Sequence, residues 1–150
     1  MNPISPALLD LNNRHKAELS ELTSARLAEL VAMAYLARIV GEADALLLAF
    51  DERAAYDSPN YLWFRARYPR FAYVDRVVVD PAQRGRGLAR QLYGELFDKA
   101  RADGHTLVVC EVNIDPPNPI SDAFHAALGF REAGRATVNG KTVRYLTCAL

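Results

Sequence analysis

The sequence predicts an α/β fold, a mixed and mostly antiparallel sheet of about seven strands with flanking helices. Three observations lead there. Runs rich in β-branched residues (Tyr73 to Val79, Thr106 to Val112) alternate with stretches at helical spacing. The chain ends in two strand-like runs around Asn139-Gly140, a strong short hairpin signal. Finally, 51% of the 150 residues are apolar, enough to bury a real core, and the length suits a single domain over 1–150.

Eighteen basic residues balance eighteen acidic ones, so no global field draws the chain to nucleic acid or an anionic membrane. Any anion site must be local. Cys110 and Cys148 lie in apolar, strand-like runs, and neither a secretory segment nor a membrane-length apolar stretch is present. A cytoplasmic protein with free, buried thiols is expected.

Taken in order, Ala7 to Leu11 is a short apolar run that reads as a first strand, broken by Asn12 to His15. From Ser20 to Ala37, Leu22, Leu27, Leu30, Val31 and Ala34 suit one or two amphipathic helices, with Thr23 or Ser24 as cap. Two strands, Tyr35 to Val40 and Ala45 to Phe50, flank the polar turn Gly41 to Asp44 and read as an antiparallel pair. Tyr56 to Tyr73 then holds seven of the fourteen aromatics, interleaved with Arg65, Arg67 and Arg70 and without a single period.

The strand Tyr73 to Val79 stops at Asp80-Pro81, since proline has no amide proton for a ladder. Near Gly87 a helix begins, with Leu88, Leu92, Leu96 and Ala100 at four-residue intervals and Gly104 at its end. Thr106 to Val112 is a strand, and Asn118 to Leu128 a helix closed by Gly129. Arg131 to Val138 and Thr142 to Leu150 form the last hairpin.

The segment Val77-Val78-Val79-Asp80-Pro81-Ala82-Gln83-Arg84-Gly85-Arg86-Gly87-Leu88-Ala89 runs strand, turn, helix start. Glycines at the turn let the backbone adopt positive φ and approach a ligand, while the first helical turn adds unsatisfied amides. Arg84, Arg86 and Arg90 supply local charge. The segment is neither a P-loop nor a dinucleotide fingerprint, whose third glycine is replaced here by Arg90. By itself it is an anion site of unspecified ligand, or a plain glycine turn.

Arg84-x-x-Gly87-x-Ala89 after Val79-x-Pro81 resembles the pyrophosphate signature Arg/Gln-x-x-Gly-x-Gly/Ala of the GNAT superfamily of N-acetyltransferases. Asn118-x-x-Ser121-x-x-x-His125-x-x-x-Gly129-Phe130 resembles that family's Asn-x-x-Ala-x-x-x-Tyr-x-x-x-Gly-Phe, with two substitutions. The resemblance implies a splayed central pair of strands and acetyl-CoA as cosubstrate. It places the pantetheine amides on Val77, Val78 and Val79. The pyrophosphate falls to Arg84, Gly85, Arg86, Gly87, Leu88 and Ala89, with Asn118 at the cofactor. A plain N-cap is the alternative for Asn118.

Acetyl transfer needs a neutral amine, yet a lysine-like amine is only about one part in a thousand neutral at pH 7. Asp75, where family members often carry an acid, is the first candidate base, and Glu111 on the next strand is the reserve. For Asp75 the alternative is an ion pair with Arg76. His125 stands where the family usually has the tyrosine that gives a proton to the leaving CoA thiolate. Its alternative is packing.

No paired His/Asp arrangement that would make Cys110 a nucleophile is readable around it, and His15, His105 and His125 show no metal-ligand spacing, so no metal is expected. The aromatic insert 56–71 suits an acceptor pocket, core, or the surface of a homodimer. The implied function is N-acetylation of a primary amine on a small molecule or peptide, by direct attack in a ternary complex. A non-catalytic acyl-CoA-binding or sensing module and a nucleotide-binding protein are the alternatives.

Overall fold

The computed structural model describes residues 5–14, 21–115 and 117–150. The elements are α1 (Pro6–Asn13), α2 (Ser24–Met33), β1 (Leu36–Val40), β2 (Ala45–Asp51), α3 (Pro59–Arg65), β3 (Ala72–Val79), α4 (Leu88–Ala102), β4 (Leu107–Asp115), α5 (Pro119–Leu128), β5 (Arg131–Val138) and β6 (Lys141–Ala149). They build a six-stranded sheet in the order β1-β2-β3-β4-β6-β5. All recorded pairings are antiparallel except the parallel contact of β3 with β4. Among the described residues, no helix is long and apolar enough to cross a membrane.

The strand count is one below expectation, because Ala7 to Leu11 is helical. Ser5 caps α1 by accepting from the Leu8 amide at 3.1 Å, and Pro6 sits at the first helical position, where its missing donor costs nothing. A five-residue apolar run carries no period of its own to oppose these signals. His15 and Ser20, which enter the expected break and helix, lie outside the described residues.

The chain divides into two compact units, Met1–Phe50 with Val74–Asp98, and Asp51–Tyr73 with Lys99–Leu150. In the first, Thr23 caps α2 by accepting from the Arg26 amide at 3.1 Å. Strands β1 and β2 pair from Leu36↔Ala49 to Val40↔Ala45. Ala45 to Phe50 are fully buried, and Leu88, Leu92 and Leu96 form the inward stripe of α4. Each such leucine contributes about 1.5–3 kcal/mol relative to exposure.

In the second unit, β4 pairs with β6 and β6 with β5, each ladder carrying one register irregularity. Asn139 (φ 51°) and Gly140 (φ 78°) make the positive-φ turn that the last hairpin requires. Ala72 and Tyr73 are the β3 residues that pair with β4, opposite Val108 and Val109. The aromatic insert supplies α3, whose Tyr61 and Phe64 are fully buried. Cys110 and Cys148 are free and buried.

Candidate active site

In the first unit β3 delivers the glycine loop. Val77 and Val79 share with Asp75 the less buried face of the strand, while Val74, Arg76 and Val78 turn inward. At the strand end, the Asp80 amide donates to the Asp44 carbonyl at 2.8 Å, and the Asp80 carboxylate accepts from the Ala82 amide at 3.0 Å. Pro81–Gln83 then make one 3-10 turn, Arg84 is extended, and Gly85 (φ 85°) and Gly87 (φ 72°) take the left-handed conformations that glycine tolerates.

Leu88 is buried and pins the start of α4, whereas Arg84 to Gly87 are exposed. A Cβ at Gly85 or Gly87 would meet no atom within 4 Å. The glycines are therefore required by conformation, and the space beside them is open to a ligand. The first turn of α4 adds amides that no helix satisfies internally. Arg86 donates to Gln83, which holds one guanidinium beside the turn. These features fit a pyrophosphate.

Asp75 is ion-paired. The Arg76 Nε donates to its Oδ2 at 2.7 Å, and both side chains are 5% exposed. The Arg76 Nη1 donates to the buried Asn12 Oδ1 at 2.9 Å. Asn12 in turn donates to Asn13, whose side chain both accepts from the Leu22 amide and donates to its carbonyl.

In the second unit, Glu111 on β4 is partly buried, and its Oε1 accepts from the Tyr73 hydroxyl at 2.7 Å. Its cross-strand neighbour is Tyr145 of β6, whose hydroxyl donates to Asn60 Oδ1 at 2.8 Å. Tyr145 stacks on Trp63 at 4.2 Å, and the Arg67 guanidinium lies 4.0 Å from the centre of the Trp63 ring. Burial first, and then the Glu111 charge, push the Tyr145 hydroxyl above its ordinary pKa. The indole and its neighbours thus form a packed stack. Sequence reading passed over Tyr73 as a site residue, since nothing local in the sequence registers β3 against β4.

Asn118 is the N-cap of α5, its Oδ1 accepting from the Ser121 amide at 3.2 Å. One turn later His125 is buried, with its ring edge-on to Phe124 and Phe130. Its Nδ1 lies 2.8 Å from the Ser121 carbonyl oxygen. A carbonyl only accepts, so Nδ1 carries the proton in this bond and the neutral ring keeps its lone pair on Nε2. Burial lowers the His125 pKa, and the Ser121 carbonyl and Asp122 partly counter it. Among the described residues, no cluster of three His, Cys, Asp or Glu could hold a metal ion.

Residues 28–130 match the acetyltransferase (GNAT) family. An L-2,4-diaminobutyric acid acetyltransferase of Nocardia farcinica is 35% identical over 75 residues, covering 50% of this chain and 38% of that protein. The N-alpha-acetyltransferase RimI of Mycobacterium tuberculosis is 41% identical over 69 residues, 45% of this chain and 40% of its own length. The chain thus spans well under half of either relative. Naa20 of Chaetomium thermophilum, solved with a bisubstrate analogue, superposes with a TM-score of 0.77 at 17% identity, over 100% of this chain and 84% of that one. At that identity the likeness concerns the fold.

Proposed function

This chain belongs to the acetyltransferase (GNAT) family, and on that premise we propose that it moves an acetyl group from acetyl-CoA to the primary amine of a small molecule or peptide. The observation that carries the reading is the Arg84–Ala89 loop, with left-handed glycines, open space beside them and a helix N-terminus behind. Val77 to Val79 offer backbone groups to the pantetheine. Bound acetyl-CoA supplies the activated acyl group.

The acceptor arrives as an ammonium ion and must lose a proton before it can attack. Glu111 takes that proton in preference to Asp75, because Asp75 is neutralised by a buried arginine while Glu111 faces a neutral phenol. It passes the proton to water. The N–C bond then forms as the thioester C–S bond breaks, and the second nitrogen proton is carried by solvent to the leaving thiolate. The products are the amide, CoA thiol and one proton.

Glu111→Gln is expected to lower turnover by about 10²–10⁴-fold, while Asp75→Asn changes turnover severalfold at most and lowers stability. Release of CoA thiol across an amine panel measures both. The panel starts with diamino acids and α-amines, which the two relatives' names carry. Binding of CoA with no turnover on any amine would instead favour an acyl-CoA-sensing module. A calorimetric signal from ATP with none from CoA would overturn the proposal.

A further inference from the structure

Tyr73 is 1% exposed, and its hydroxyl donates to the Glu111 carboxylate at 2.7 Å. The ring is wedged against Tyr61, with centroids 5.6 Å apart at 72°, and against Phe64 at 5.8 Å. These contacts leave the phenol little rotational freedom. Tyr73 is also the last β3 residue whose backbone pairs with β4, opposite Val109. Glu111 follows two residues along β4, on the same face as Val109. Where the backbone pairing ends, a side-chain hydrogen bond of 2.7 Å takes over.

We propose that Tyr73 is a positioning residue, which holds the Glu111 carboxylate by donating to Oε1 so that Oε2 is the oxygen turned to the incoming amine. The inference rests on the reading of Glu111 as proton acceptor. A packed phenol held in one orientation selects one carboxylate rotamer, and in general a hydrogen bond donated to a carboxylate favours its ionised form. Tyr145 faces Glu111 from β6, and Arg67, in the turn after α3, acts on Tyr145. Burial holds the Tyr145 hydroxyl above its ordinary pKa, so it stays a neutral phenol at working pH.

Tyr73→Phe keeps the ring and removes the hydroxyl. The expected result is a roughly tenfold fall in kcat with the acetyl-CoA KM unchanged. The acid limb of the kcat–pH profile should also move up by about one pH unit. A purely structural tyrosine would lower the yield of folded protein and leave that limb in place, and an unmoved limb overturns the inference. Should Tyr73→Phe fail to fold, Glu111→Asp draws the carboxylate back from the phenol, and the same upward shift is expected. Glu111→Gln run alongside separates the two ideas. If it keeps full turnover, the reading of Glu111 as base falls and takes this inference with it. If it is inactive while Tyr73→Phe shows an unmoved limb, the positioning role alone falls.

Discussion

With Nδ1 donating to the Ser121 carbonyl at 2.8 Å, a neutral His125 presents an acceptor on Nε2 and has no second proton to give. It can protonate a leaving thiolate only as an imidazolium, and burial lowers its pKa from the ordinary 6.5. The neutral ring therefore dominates at pH 7. If the imidazolium supplied the proton, kcat would fall as pH rises through that lowered pKa, below about 6.5. No such descending limb is expected, and a limb that disappears in His125→Gln would restore the donor role. The same shift has a consequence for stability. Above about pH 6.5 the ring is neutral in both folded and unfolded chains, so it adds no pH dependence. Below that, the unfolded chain binds a proton that the folded one resists, and stability falls by at most about 1.4 kcal/mol per pH unit until the folded-state pKa is passed. Thermal melts between pH 5 and 8 should show that slope lessened in His125→Gln.

Glycines carry the two elements that function depends on, for different reasons. Gly87 has φ 72° and open space around it, so Gly87→Ala meets no clash and is opposed by the backbone alone, at about 1–2 kcal/mol. The loop relieves that strain by rearranging, so the acetyl-CoA KM should rise while kcat at saturation changes little. Steady-state kinetics at varied acetyl-CoA measure both. Gly134 has no positive φ, but a Cβ there would lie 2.6 Å from Cζ2 of Trp63. The indole cannot easily retreat, because Tyr145 stacks on it and Arg67 lies against its ring. The irregular register between Glu132 and Gly134 belongs to the same accommodation of the indole beside β5. Gly134→Ala should destabilise by about 1–3 kcal/mol, read by urea unfolding. Wild-type stability would show that the stack can shift. The aromatic insert, whose use the sequence left open, is in this part packing around a cross-strand tyrosine.

Across the molecule, the order of elements was legible wherever a hydrophobic period ran long enough, as in α4, or a turn had its own chemistry, as at Asn139-Gly140. Ala7 to Leu11 was misread because five apolar residues fit either state, although Ser5-Pro6 already carried the helix-start signal. The loop was legible because its residues are neighbours in sequence. The Tyr73–Glu111 bond joins residues 38 apart, and the register of two strands separated by a helix is set by tertiary packing. The Asp75–Arg76 pair was readable as one of two alternatives for Asp75, and the structure contains that pair. Both side chains are 5% exposed, so the pair is a desolvated charge couple linked through Asn12 and Asn13 to the backbone of Leu22. Removing one member should cost more than removing both. Arg76→Met takes the guanidinium away from a buried carboxylate and should lower unfolding free energy by about 3–5 kcal/mol. Asp75→Leu combined with Arg76→Met removes both charges, leaving the lost donor to Asn12, worth about 1–3 kcal/mol. Urea unfolding of wild type, both single variants and the double variant gives the coupling. Equal losses in Arg76→Met and the double variant would mean that Arg76 contributes through packing and its bond to Asn12. Recovery in the double variant would show Asp75 held as a structural anion, which leaves the amine proton to Glu111.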